Sequence, residues 1–209
     1  MESKKTSLAS STPNISPSAL DEDIIVASKP KAGTTWLKAL VFTIVNRHSY
    51  TLSNTPLNSA NPHQLISHFE IKFYKENPNP DLAKSHPQGI LEHECGEAIE
   101  YMFMRYEELK EDPVAQTKRL AEFLGFPFSM EEEKTGVVNQ IIDFCSFNNL
   151  KDLEVNKTGK MPRSIIPSNK LFFRSGKVGD YINHLSPTAV ERLSNVLKEK
   201  LSESSLTFN

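Results

Sequence analysis

The sequence predicts an α/β fold, a parallel sheet flanked by helices, on three observations. Residues 24–27, "IIVA", form a short unbroken apolar run, as in a strand buried on both faces. A glycine-containing loop leads from it into residues 34–47, "TTWLKALVFTIVNR", which lack Gly and Pro and are apolar nearly all round. That pattern predicts a buried helix. A second apolar stretch at 101–105 precedes a further helix start, so the strand-then-helix order returns late in the chain.

Composition narrows the class. A length of 209 residues fits one domain, or one domain with a tail. Hydrophobic residues make up 38% and charged residues 24%, which suits a globular chain. A net charge of −2 gives no reason to expect nucleic acid as a partner, so any anion site must be a local cluster. Cys95 and Cys145 cannot form a disulfide framework and fit a reducing compartment. No apolar run reaches the roughly 18 residues of a membrane span. Residues 1–20 are rich in Ser, Thr and Pro and lack a signal-peptide core, which predicts a mobile tail before a domain at 21–209. Without arginine there, a transit peptide is the weaker reading. The cytoplasm is the expected location.

The remaining elements follow from local signals. Residues 51–63 read as loop, and "HQLISHFE" as a short helix with Leu65, Ile66 and Phe69 on one side. Residues 77–96 carry no sustained period. Asp112 and Pro113 are an N-cap and first helical residue, and Gly125 is the matching stop. Ser129 and Glu132 form a capping box opening another helix, with Val137, Val138, Ile141, Ile142 and Cys145 on one face. Residues 147–153 predict a further turn or two. The basic, aperiodic stretch 156–183 is long for a passive loop. Ser186-Pro187 opens a final helix with a stripe of Val190, Leu193, Val196, Leu197 and Leu201.

Two clusters suit phosphate chemistry. In "SKPKAGTTWLK" (28–38), a helix N-terminus offers free N–H groups, and Gly33 permits close backbone approach. Thr34 and Thr35 add hydroxyls, Lys31 a full charge, and Trp36 a face for a base. An ordinary strand–helix turn with a solvated Lys31 and a core Trp36 is the competing reading. In "FFRSGKVGD" (172–180), Arg174 and Lys177 with Gly176 and Gly179 can cradle a second anion, or form a solvated basic loop. Two such loops in one chain suggest a ligand with two separated phosphate groups.

Four segments, "PKAGTTWLKAL", "MRYEELKEDP", "FCSFNNLKDLEVNKTG" and "FFRSGKVGDYINHLSP", together resemble the cytosolic sulfotransferases in their plant form. The likeness covers most of residues 15–77 and 101–209. It implies a P-loop-kinase-like sulfotransferase fold and sulfuryl transfer from 3′-phosphoadenosine 5′-phosphosulfate (PAPS) to a hydroxyl of a small acceptor, without a metal. By that resemblance Lys31, Ala32, Gly33, Thr34 and Thr35 hold the phosphosulfate, and Lys31 helps the leaving group depart. Trp36 and Phe147 flank the adenine, Tyr106 contacts the nucleotide, and Arg174, Ser175 and Gly176 surround the 3′-phosphate. The glycine-rich loop after Arg174 is similar to one in the family's dimer contact, which implies a homodimer. Plant relatives act on flavonols, steroids, hydroxylated jasmonates and desulfated glucosinolates.

The sequence also departs from that pattern. Lys29 stands for a tyrosine, Ala32 for a serine, Cys145 for a threonine, Ser175 for a lysine and Tyr181 for a tryptophan. Between about 84 and 101 the family's central segment is missing, with its catalytic histidine and a second 3′-phosphate grip. The fold is thus expected to be incomplete. Of six histidines, only His86, in "KSHPQ", offers itself as a base; His48, His63, His68, His93 and His184 lie in other contexts. The alternative function is a catalytically inactive remnant that binds PAPS, its desulfated product 3′-phosphoadenosine 5′-phosphate (PAP), or a partner.

Overall fold

The computed structural model describes residues 24, 26, 28, 32–66, 102–161 and 167–202. They fall into two compact units that divide between Phe173 and Arg174. The first unit is built on helix α1, Thr34–Asn46. Its residues 38 to 44 are all buried, with Ala39, Leu40 and Ile44 at 0% exposure, so the helix is enclosed as its unbroken apolar sequence predicts. Each fully buried aliphatic side chain contributes about 1.5–3 kcal/mol of transfer free energy.

After α1 the chain turns through Pro56–Asn58 into the short helix α2, Pro62–Leu65. Asn61 caps α2, Pro62 sits at its first position, and Gln64 completes a capping box back to the Asn61 N–H at 2.8 Å. The helix ends at Ile66, earlier than the expected segment, whose Phe69 lies outside the described residues.

Helices α3 (Tyr106–Glu111) and α4 (Pro113–Phe123) follow, and Asp112 accepts a hydrogen bond from the Ala115 N–H at 2.9 Å, as an N-cap should. Gly125, at φ +75°, ends α4: its N–H donates to Glu122 and the Phe126 N–H reaches back to Ala121. That pair of bonds is the glycine stop expected there. Ser129 and Glu132 form their capping box on α5, Met130–Lys134. The expected continuous helix through Cys145 is two helices, because Gly136 takes φ +77° and breaks the ladder before α6, Val137–Phe144. The apolar face survives the break, with Val138, Ile141 and Cys145 buried. Helices α7 (Phe147–Asp152) and α8 (Glu154–Lys157) complete this part.

Two polar devices hold the first unit together. Arg47, just past α1, donates to Glu132 at 2.7 Å and to the Ile44, Phe126 and Pro127 carbonyls, and lies over the Phe128 ring. Buried asparagines form the second: Asn61 donates to Asn156 at 2.7 Å, and Asn156 donates to the Leu150 carbonyl. Asn169, also buried, donates to the Val155 carbonyl.

Among the described residues no strand is assigned. Of the expected strand at 24–27 only Ile24 and Val26 are described, and residues 102–105 carry no ladder. Phe103 in that stretch is exposed, and its carbonyl accepts from Arg119. The second unit holds a tight turn at Asp180–Asn183 and helix α9, Pro187–Leu201, capped by the Ser186 hydroxyl. Leu193 and Val196 of its apolar stripe remain exposed.

The hydrogen bond from Arg47 lowers the Glu132 carboxyl from 4.5 to about 2, with burial opposing and the Ser129 N–H assisting. A depressed carboxyl contributes stability above its ordinary range and loses it as pH falls toward the folded value. Glu132→Gln is expected to cost about 1–3 kcal/mol near neutral pH. In urea melts the gap between wild type and variant should close as pH drops from 4.5 toward 2. A gap that stays constant over that range would contradict this account.

Candidate functional site

The start of α1 is the chemically loaded end. Gly33 is its N-cap at φ 93°, a left-handed conformation that glycine adopts without penalty. Among the described residues no side chain caps the helix, and its first turn has no acidic residue. The Leu37 N–H is the first to find an intrahelical acceptor, the Gly33 carbonyl at 2.9 Å. The N–H groups of Thr34, Thr35 and Trp36 therefore have no acceptor within the helix, and the helix dipole adds partial positive charge there.

Tyr106, at the start of α3, closes on this turn. A Cβ added to Gly33 would stand 2.8 Å from its ring, so glycine is required here by contact as well as by φ. Trp36 meets the same ring edge-on, with centroids 5.7 Å apart, and Lys110 lies 5.8 Å over the indole. The Trp36 Nε1–H is buried without a hydrogen-bond partner among the described residues. Burial, with a smaller push from the Glu107 charge, raises the Tyr106 phenol, which stays protonated at neutral pH.

The two threonine hydroxyls are engaged. Thr34 Oγ1 is hydrogen bonded to Ser28 Oγ, and Thr35 Oγ1 lies 2.9 Å from His63 Nε2. His63 is buried and stacked on Phe172 with centroids 4.3 Å apart. Sequence reasoning set His63 among the histidines in other contexts. The Asn61-Pro62 start and Gln64 announce the helix but not which neighbour its histidine meets.

The structure thus brings Gly33, Trp36 and Tyr106 together. Ala32 is exposed beside them. Phe147 instead packs edge-on against Phe173, at 5.9 Å between centroids. Lys31 and His86 lie outside the described residues. Cys145, where the resemblance has a threonine, is fully buried and its thiol is pushed up to about 12 by burial, so it is inert packing against Thr43. In the second unit Arg174 pairs with Asp180 at 2.9 Å, and His184 approaches the same carboxylate at 3.4 Å. Burial alone would raise Asp180, but the Asn183 amide, the Arg174 and His184 charges and the Ser175 hydroxyl outweigh it and hold it below the usual range. Gly176 and Gly179 both take positive φ.

Comparison with known proteins fixes the class as a transferase. The family model described as a sulfotransferase domain matches residues 21–93 and 61–205. The chain belongs to the sulfotransferase family, with that domain's P-loop-like fold and its function, transfer of a sulfuryl group to a small acceptor. It is 36% identical to Cytosolic sulfotransferase 15 of Arabidopsis thaliana, covering 91% of this chain and 75% of the relative. It is 35% identical to Cytosolic sulfotransferase 14 and 34% to Cytosolic sulfotransferase 5 of the same plant, covering 78% and 82% of those proteins. The first match runs over 270 positions, against 209 residues in this whole chain, so at least 61 positions have no counterpart here. No helix among the described residues is long and apolar enough to cross a membrane.

Gly33→Ala is expected to destabilise the fold by about 1–3 kcal/mol, from positive φ together with the Tyr106 clash. Adding Tyr106→Ala should not restore stability, because the backbone penalty remains. Full recovery in the double variant, measured by urea unfolding, would show that φ is not strained.

Proposed function

We propose that this chain is a PAPS-dependent sulfotransferase whose first turn of α1 holds the phosphosulfate end of the donor. The observation that carries the reading is the uncapped, acid-free start of α1 beside Gly33, with two threonine hydroxyls on it. The residues present fit the group. Three first-turn N–H groups suit phosphate oxygens, and the unpartnered Trp36 Nε1–H beside Tyr106 suits the edge of a bound nucleotide. PAPS supplies the sulfuryl group when bound.

The roles follow from charge. Lys31, Ala32, Gly33, Thr34 and Thr35 hold the 5′ end, and Lys31 neutralises the negative charge that grows on the leaving phosphate as the bridging S–O bond breaks. Trp36, Tyr106 and Phe147 serve the nucleoside, and Arg174, Ser175 and Gly176 the 3′-phosphate. Arg174 must share its guanidinium between that phosphate and Asp180. The acceptor hydroxyl attacks sulfur and gives its proton to a base, for which His86 is the candidate. Residues 24–27 and 101–105 supply strands of a parallel sheet. The unmatched positions of the first relative leave room for an absent segment, which we place between about 84 and 101 from the motif order, and hence for an incomplete fold. The relatives' names favour the cytosol and family membership favours a working enzyme over an inactive remnant. No metal enters the scheme, nucleic acid is no partner, and the loop after Arg174 would serve a homodimer.

Calorimetry with PAP tests the donor site. The wild-type chain should bind PAP, and Lys31→Ala should weaken it about tenfold or more, the loss of a charge-assisted contact. His86→Ala should abolish sulfate transfer to phenols and steroids while PAP binding persists. A folded wild type that binds no PAP ends the donor-site reading, and undiminished transfer by His86→Ala ends its role as base.

A further inference from the structure

His63 is held against α1 from several sides. Its backbone N–H donates to Asn61 Oδ1 at 3.0 Å, and Asn61 is itself tied to the buried Asn156. Phe172 covers its ring face. Lys38 Nζ donates to the Ile66 carbonyl at 2.9 Å at the far end of α2. Thr35 and Lys38, three residues apart on α1, thus meet His63 and Ile66, three residues apart on the neighbouring segment. The His63 backbone is thus anchored beside α1, and the buried imidazole itself is held by the Phe172 ring and the Thr35 hydroxyl.

We infer that His63 is a positioning residue that sets the direction of the Thr35 hydroxyl proton, and through it the affinity of the first turn for a phosphate oxygen. A hydroxyl has one proton to give and can accept as well. When Nε2 is bare, Thr35 donates to it and turns only lone pairs toward the helix start, which repel an anion. When Nε2 carries a proton, it donates to Thr35 Oγ1, and the Thr35 O–H is released to donate to a phosphate oxygen. A bound phosphate therefore selects the Nε2–H form of His63. This rests on the reading that the first turn of α1 holds the 5′-phosphate of the nucleotide.

PAP is the probe, measured by calorimetry alongside thermal melts of each variant. His63→Leu, which removes the donor, should weaken PAP about tenfold, the usual loss for a hydrogen bond to a charged ligand. His63→Gln, whose side-chain amide can donate to Thr35, should bind close to wild type, and His63→Glu, which only accepts and adds negative charge, should not bind. On a Thr35→Val background His63→Leu should cost nothing further, a result that a merely structural role would not give. A folded His63→Leu with wild-type affinity, or a loss that repeats in full on Thr35→Val, overturns the inference alone. Where His63→Leu does not fold, equal affinity of the Gln and Glu variants overturns it. A folded wild type that binds no PAP overturns the reading of the first turn and this inference with it.

Discussion

Enclosing a helix as thoroughly as α1 obliges its polar side chains to find partners, since a buried polar group without one costs about 1–3 kcal/mol. Each partner then ties on a neighbouring element. Thr35 meets His63 and Lys38 meets the Ile66 carbonyl, which fixes α2 and its end. Thr43 donates to the Ala39 carbonyl and touches the Cys145 thiol at the end of α6. Arg47 gathers Glu132 and the carbonyls at 126 and 127, drawing in α5 and the chain that leaves α4. The apolar atoms of α1 supply most of the burial, but they are non-directional. The polar contacts determine which elements lie where.

That division explains what was legible in the sequence. Caps are local, and the capping signals at Asp112-Pro113, Ser129 with Glu132, Gly125 and Ser186 predict the helix ends that the structure has. Gly136 was not legible as a break, because an isolated glycine within an apolar period is tolerated in many helices. Its left-handed backbone, φ +77°, is a property of the folded chain that the apolar period does not announce. The Thr35–His63 contact joins residues 28 apart in sequence, so no spacing rule reports it. Met102 and Met104 are half-buried where a strand buried on both faces was expected, and Phe103 between them is exposed, which is alternation rather than two-sided burial.

The helix start joins both kinds of information. Its glycine, threonines and tryptophan are visible as a motif, whereas the reason for Gly33 is tertiary: the Tyr106 ring occupies the space of a side chain. The same ring packs on Trp36, so the residue that demands glycine at the N-cap also orients the aromatic face beside it. A single substitution at Tyr106 therefore acts on the backbone and on the indole together. On the proposed reading, nucleoside and phosphate recognition are mechanically coupled through one side chain.

The electrostatics of the two proposed phosphate positions are unequal, and the inequality follows from identifiable groups. At α1 the first turn holds N–H dipoles and, among the described residues, no acidic residue of its own, so an anion there meets no carboxylate of that turn. At the second loop Arg174 is already paired with Asp180, whose carboxylate is kept ionised by Arg174, His184 and hydrogen bonds. Ser175 adds a hydroxyl but no charge to offset that carboxylate. A phosphate arriving there gains a guanidinium only by weakening an ion pair whose Asp180 carboxylate is mostly shielded from water. On the proposed reading the α1 end carries most of the donor affinity, which gives weight to the direction of the Thr35 proton.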